Sequence, residues 1–562
     1  MRRGVDGDGV VRVWDSWTRD RIESLTQRHV LRSLRPVDAG RSPSGISHGA
    51  SSAEVWVSEP TMRAWETGTH DLGGSADGYP TTPAGPLHSA LISETTTDTS
   101  RPLSDVIKRR KLKLFSSNDY LGLGAHPSVR AAAARAAAAH GSGPRSSPLV
   151  CGYTSAHREL ELGLAKLKRT EECLLFPSGF AANLGTIPAL ADSSACEIFS
   201  DRLNHASIVD GCRLARSRGA TITIYEHNDV GDLRTKLLRS NAKRKLIVTD
   251  ALFSVDGDWA PLRALACLKR DVGGRDGDVM LLVDEAHATL VCGTTGGGAV
   301  EMFLKDNASP GGLLSAGHRD TDRGTKHENE KEDLSYLVDA HVGTLSKAFG
   351  SHGGFVCVSR ALKSVLLSTT RTAVFSTALP APCVAAACAS LRVAGVAGAD
   401  EATAADEGRV LREKVWRHVR RANDALRGAA FFAEPPSYYD EDENENEETT
   451  RDTNEETRRT EMPVTRRRNK ALLLGGSLLR DAIVSPIFCV EYGSESAALS
   501  AAARLLRMGL HAPAIRPPTV PLGTSRVRIA LSAAHSDEDI DALIDALTLV
   551  SVTRGFDCHD DV

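Results

Sequence analysis

Two residues in the middle of the chain have a specific chemical use when taken together. Asp284 closes the apolar run VMLLVDEAH, and Lys347 sits in VGTLSKAFG. A lysine amine forms a Schiff base with an aldehyde, and a carboxylate facing a pyridine nitrogen keeps that nitrogen protonated, so that the ring draws electrons. Those are the requirements of pyridoxal 5'-phosphate (PLP) chemistry. His287 follows Asp284 at the end of the same apolar run, where α/β sheets place ligand groups. Taken singly, a lysine is usually a solvated surface residue and a strand-end aspartate a helix cap, so the surrounding segments decide.

Several segments offer partners. LLFPSGFAANLG reads as strand, small-residue turn and helix start, where backbone N–H groups at Ser178 and Gly179 suit an anionic phosphate; turns of this kind are also common without a ligand. In NHAS, His205 either caps a helix or lays its ring on a flat heterocycle. TDALFSVDGD ends a strand, and Ser254 in it is within reach of a ring oxygen unless the segment is simply a glycine turn.

The elements that would position these groups alternate between strand and helix. CLLF, EIFS, TITIY, KLIVTD, VMLLVD, AHVGTLS and GGFVCVS are short apolar runs bounded by polar or glycine residues, as expected for a mostly parallel sheet covered on both faces. Helices are expected over AAAARAAAAH and from about 155 to 168. SPIFCVEYG, HAPAIRPP and SRVRIALS read as further strands, with helices at AALSAAARLLRMG and DEDIDALIDALTLV. The fold class expected is α/β, a large mostly parallel-sheet domain followed by a smaller C-terminal α/β domain. The divisions are an N-terminal helical segment at 1–37, a mostly disordered insertion at 38–104, a large domain at 105–380 and a small domain at 381–562. A short packed piece is expected at VWVSEPTMRAW. Two polar stretches, 303–333 and the acidic 440–470, are too poor in apolar residues to offset their ordering entropy and read as exposed loops.

Bulk properties narrow the function. The 562 residues are 41% hydrophobic and 25% charged with a net charge of −4, so there is no basic bias toward nucleic acid or anionic membrane. No apolar run approaches the ~20 residues of a membrane span. The eleven cysteines form no metal-spaced cluster, which points to reduced thiols and no bound metal. The N-terminus lacks the apolar stretch of a secretory signal, and a cytoplasmic location is the expectation.

In order along the chain, FSSNDYLGLGAHP, GSGPRSSPLVCGYTSAHRELE, FPSGFAAN, DRLNHASIVDG, VTDALFSVDGD, LVDEAHA, GTLSKAFGSHGG and FSTALPAP closely resemble the α-oxoamine synthases. These are PLP enzymes of the fold-type-I aminotransferase superfamily. The resemblance covers about 105–300, 336–396 and 480–550, with one departure, Ala288 where the family usually has glycine. It implies a PLP enzyme, homodimeric, with the active site at the subunit interface. It gives Lys347 the cofactor aldehyde and Asp284 the pyridinium, with His287 and Ser254 at the ring hydroxyl and His205 stacked on the ring. Gly179 and Phe180 would hold the phosphate with help from Thr344, and Ser376 or Thr377 would reach the phosphate of the neighbouring subunit. Arg32, Arg516 and Thr519 would orient substrate, and Asn118 lies in a matching motif.

The string IRPPTVP is similar to the branch that condenses L-alanine with pimeloyl-CoA or pimeloyl-acyl carrier protein, releasing CO2 and giving 8-amino-7-oxononanoate for biotin. Arg32 in LRSLRPV fits that branch as a fork for the distal carboxyl of the acyl chain. Two alternatives stand beside it: another α-oxoamine synthase, of the 2-amino-3-ketobutyrate CoA ligase, 5-aminolevulinate synthase or serine palmitoyltransferase type, and an inactive partner subunit of such an enzyme. Inactive subunits typically lack the lysine, which is present here.

Overall fold

The computed structural model of the protein describes residues 18, 20–24, 52–58, 62, 65, 109–273, 278–306, 333–396, 401–428 and 484–552. Arg32 and the acidic segment 440–470 lie outside the described residues, as does most of 38–104. Of the N-terminal helical segment expected at 1–37, only residues 18 and 20–24 are described, and they are helical.

The strands in chain order are β1 (Glu54–Ser58), β2 (Arg109–Leu114), β3 (Glu172–Phe176), β4 (Cys196–Asp201), β5 (Thr221–Tyr225), β6 (Arg244–Asp250), β7 (Val279–Asp284), β8 (Ala340–Thr344), β9 (Gly354–Val358), β10 (Ile487–Gly493), β11 (Leu510–His511), β12 (Ala514–Ile515) and β13 (Ser525–Ala530). Strands β3 to β9 make one sheet in the order β3-β9-β8-β7-β6-β4-β5. Only β9 runs against its neighbours, β3 and β8; the other pairs are parallel.

Every strand in the middle of this sheet is apolar at consecutive positions because both faces are covered. Ile247, Leu281 and Val283 face one core, which is shared with Leu160 and Leu164 of the helix Ser155–Lys168 and with Leu265 of Leu262–Val272. Their neighbours Leu246, Val248 and Leu282 face the other, shared with Ile187 of Gly179–Leu190 and Ile208 of Ala206–Ser217. The two-residue period assigns alternate side chains to opposite layers.

A second unit combines chain ends. β10, β13 and β12 form an antiparallel sheet, and β1, β2 and β11 form another in which β11 lies parallel to β2. Val419 and Leu426 of the helix Glu401–Gly428 pack there with Phe115, Leu505 of Glu495–Arg507 and Leu543 of Asp537–Val552.

The division differs from the sequence expectation of 105 and 380/381 at both ends. β2 and Phe115 join the second unit because β2 finds its pairing partners in β1 and β11, and the helix Ala381–Val393 buries Val384, Ala387 and Leu391 in the core of the large sheet. The packed piece expected near VWVSEPTMRAW is β1, whose Val55 and Val57 are buried with Met62 and Leu506. The polar stretch put at 303–333 begins later than expected. Met302, Phe303 and Leu304 are buried, Phe303 against the Trp259 ring at 5.1 Å, because this first turn is apolar. Leu334 N–H donates to Leu304 O, so the two flanks of 307–332 meet. No described helix is long and apolar enough to cross a membrane.

Candidate active site

Polar residues end the central strands on one edge of the large sheet: Asp201, Asp250, Asp284 and Thr344 close β4, β6, β7 and β8. Asp250 and Asp284 are register partners on adjacent parallel strands. The chain leaves β8 at Thr344 and returns as the antiparallel β9, and Lys347 lies in that short connection. Its backbone is fixed by bonds from Leu345 N–H to Gly353 O and from Gly350 N–H to Lys347 O. Gly350 has φ +58°, and a Cβ there would lie 2.0 Å from Gly124 N, so only glycine lets the lysine turn dock on the NDYLGLG loop.

The Lys347 side chain is half-buried beside His287, with Nζ 2.8 Å from Nε2. Burial pushes its amine down to about 8, although the Asp284 and Asp250 carboxylates pull it upward. An amine with a pKa near neutrality is suited both to attack an aldehyde and to exchange protons. Asp284 is buried and held from two sides: Asn183 Nδ2 donates to Oδ2 at 2.6 Å and Ala286 N–H to Oδ1 at 2.8 Å. Asp250 accepts from His205 N–H at 2.7 Å, and burial beside Asp284 keeps its carboxyl well above the usual range.

Glu285, the next residue, turns to the opposite side of the sheet. There Lys168 Nζ lies 2.8 Å and His341 Nδ1 2.9 Å from its Oε2, Val300 N–H donates to its Oε1, and Lys168 also donates to Gly297 O. Burial alone would raise the Glu285 carboxyl; Lys168 and His341 hold it down at about 2. The cluster anchors the backbone that aims Asp284. Lys168→Met leaves a buried carboxylate without its main cation, and the expected cost is about 3–5 kcal/mol in urea unfolding. Because the folded pKa is below the unfolded value of about 4.3, this stabilisation is present above that pH and is lost as pH falls toward 2. An unfolding midpoint unchanged in Lys168→Met would show that the cluster contributes little.

The residues fit a pyridoxal phosphate. The helix Gly179–Leu190 starts beside β8: Ser178 Oγ accepts Ala181 N–H, and a Cβ on Gly179 would come within 3.0 Å of Thr344 Cβ. The helix start thus offers backbone N–H groups at close quarters to the lysine connection, as a phosphate requires. Phe180 sets the edge of its ring toward His205 at 6.4 Å. The His205 ring is exposed, and it also caps its helix, Nδ1 accepting Ser207 N–H, so both uses considered for it are compatible. Half-buried amine, buried carboxylate, exposed ring and helix start together suit an aldehyde-bearing, phosphorylated pyridine.

Other expected residues are placed differently. Thr344 Oγ1 donates to Gly353 O, which commits its proton to the turn. Ser254 contributes its carbonyl, which accepts from Arg528 Nε at 2.6 Å, and it is Tyr120 that binds the other nitrogen of His287. Arg516 pairs with Glu495 at 3.4 Å, and Thr519 is exposed in a turn with its N–H on Arg516 O. The short β12 ends at Ile515, so neither side chain is carried toward Lys347 by a strand. Ser376 and Thr377 lie on the segment before the helix Ala381–Val393. Thr377 lines an apolar cavity of about 220 Å³ with Leu149, Phe176 and Leu379, and none of Lys347, Asp284 and His287 borders it.

The sequence reading missed Tyr120, Asn183, Asp250 and Arg528 as site residues. Asp250 was legible: it ends KLIVTD as Asp284 ends VMLLVD, and equal positions on adjacent parallel strands are neighbours. Arg528 had no such signal. Its place comes from the second unit, where β13 carries it to Asn118 Oδ1 at 3.2 Å.

The model of the family "Aminotransferase class I and II" matches residues 110–434 and 463–547. A protein of Arabidopsis thaliana named 8-amino-7-oxononanoate synthase is 34% identical over 570 residues, covering 95% of this chain and 95% of that protein. One of the same name from Anaeromyxobacter dehalogenans is 40% identical over 441 residues, covering 78% of this chain and 87% of its own. Among solved structures, serine palmitoyltransferase of Sphingomonas wittichii is similar with a TM-score of 0.60 and 27% identity, over 79% of this chain and 88% of that one.

Proposed function

The chain belongs to the aminotransferase class I and II family, and from that membership we propose that it is a PLP-dependent acyltransferase condensing L-alanine with a pimeloyl thioester. The products are 8-amino-7-oxononanoate, CO2 and the free thiol carrier, a step of biotin biosynthesis. The observation that carries the reading is the Lys347 amine, lowered to about 8, near the Asp284 carboxyl that Asn183 and Ala286 hold in place, in a chain aligned over 95% of its length with a relative of that name.

When bound, PLP supplies an electron sink for the α-carbon of the amino acid, on loss of the α-proton and again on loss of CO2. Lys347 takes and returns that proton; its pKa, lowered to about 8, leaves about a tenth of the amine free at pH 7, far more than an ordinary lysine has. Asp284 would keep a proton on the pyridine nitrogen, His205 would cover the ring face, and Gly179 and Phe180 N–H groups would hold the phosphate. Asn118 and Arg528, joined to one another, would receive the amino-acid carboxylate. Arg516 reaches it in this reading by leaving Glu495, with Thr519 beside it. Arg32 recognises the distal end of the acyl chain.

The reading includes a homodimer. Its support is the group of exposed apolar side chains Leu149, Val150, Tyr153 and Phe375, in segments flanking Ser376 and Thr377, a surface costly to leave in water.

The test is mass spectrometry of the product formed from pimeloyl thioester with alanine, glycine or serine, and from uncharged acyl thioesters of similar length. Alanine with the pimeloyl thioester is expected to be strongly preferred. Preference for glycine or serine, or indifference to the acyl terminus, would move the chain to another branch of its family.

A further inference from the structure

A continuous hydrogen-bonded chain runs from Lys347 away from the cofactor-binding helix start. Lys347 Nζ is 2.8 Å from His287 Nε2, His287 Nδ1 is 2.6 Å from Tyr120 Oη, and Tyr120 O–H donates to Asn118 Oδ1 at 3.3 Å. Asn118 Oδ1 also accepts from Arg528 Nη2 at 3.2 Å, and Arg528 Nε is fixed on Ser254 O. Tyr120 is fully buried, and the ring it touches is buried as well.

The chemistry at the two ends fixes the direction of this chain. A guanidinium only donates, so Arg528 forces Asn118 to present its oxygen, which only accepts. That oxygen takes the tyrosine proton. The phenol oxygen is then free to accept, and His287 must donate to it from Nδ1. Burial, with the Lys347 and Arg528 charges nearby, holds His287 well below its ordinary pKa, so the ring is neutral and carries one proton. Nε2 is therefore a lone pair, which suits the other end, because a lysine ammonium has three donors and no acceptor.

We propose that Tyr120 is a positioning residue that fixes His287 as its Nδ1–H tautomer, so that Nε2 accepts a hydrogen bond from Lys347 and sets the proton affinity of that amine. The proposal rests on Lys347 being the reacting amine but not on which amino acid or thioester is used. The other charged groups around Lys347 are Asp284 from β7, Asp250 from β6, Arg528 from β13 and the neighbouring ring of His205. Arg528 also bonds Tyr120, and its Nε is held separately by Ser254 O.

In Tyr120→Phe the Nδ1–H would be buried without an acceptor. The ring then shifts to the other tautomer and points N–H at Lys347, which disfavours the ammonium. Asn118→Leu should act in the same direction with Tyr120 intact, because the phenol proton then turns to Nδ1.

The experiment is competitive acetylation of the cofactor-free protein with trace acetic anhydride across pH, reading the Lys347 peptide against the other lysine peptides by mass spectrometry. The expected result is a Lys347 titration midpoint lower by about one pH unit, a tenfold change in proton affinity, in both variants. Near-native circular dichroism checks the fold. A midpoint that stays at the wild-type value or rises in folded Tyr120→Phe overturns the proposal. If that variant does not fold, Asn118→Leu decides on the same criterion. Failure of alanine condensation in the product assay would leave these midpoints untouched, so the two readings fail separately.

Discussion

Lys347→Ala is expected to reduce turnover to background and to remove the only site at which borohydride fixes the cofactor to the chain. Two losses combine in this one substitution. The amine that captures the cofactor aldehyde disappears, and so does the proton carrier at the α-carbon, a role that by itself contributes about 10²–10⁴-fold in rate. Among the described residues, the other lysines considered are committed elsewhere. Lys168 is locked into Glu285 on the opposite side of the sheet, and Lys363 is paired with Glu161 and Glu172 at 2.9 Å. Borohydride reduction of the wild-type holoenzyme and peptide mapping should therefore place the label on the peptide holding Lys347. A label on Lys363, or turnover retained in Lys347→Ala, would remove Lys347 from its role.

The second large effect is expected at Asp284. In Asp284→Asn the side chain keeps its volume but loses its charge, and one of its two terminal atoms becomes a donor. Asn183 Nδ2 or Ala286 N–H then faces another N–H, so the substitution also costs a hydrogen bond. Without the carboxylate the pyridine nitrogen is not held protonated, and the sink weakens. Exchange of the alanine α-proton with solvent deuterium should slow by about 10²–10³-fold, the size of effect typical for a preorganised charge. Cofactor affinity, which draws on the phosphate contacts as well, should fall much less. Asp250→Asn is the control. Burial beside Asp284 pushes its carboxyl well above the usual range and it accepts from His205 N–H, so its effect on exchange should be the smaller one. The reverse order of effects would exchange the roles of the two aspartates.

Much of this was legible in the chain. Strand lengths, the two-sided apolar runs and the helix at 155–168 follow from local periodicity, and the structure reproduces that helix as Ser155–Lys168. Asp284, His287 and Lys347 were legible for a related reason: each sits at or just beyond the C-terminal end of an apolar strand, and parallel strands bring such ends to one edge of a sheet. The resemblance of the ordered motifs then pointed to PLP.

What the sequence left open is what depends on contacts between distant segments. Periodicity is read within one strand, so it did not show that β9 runs antiparallel, nor that β2 joins strands at both ends of the chain. Nor did it separate Asp250 from Asp284: both end apolar strands, and their different hydrogen-bond partners, His205 N–H for one and Asn183 and Ala286 for the other, come from the packing. Arg516 and Arg528 look equally available along the chain, yet β13 carries one to Asn118 while the other meets Glu495. A motif fixes which residues a site has available; the burial and hydrogen bonds that set their charge, tautomer and direction exist only once segments far apart in the chain are packed together.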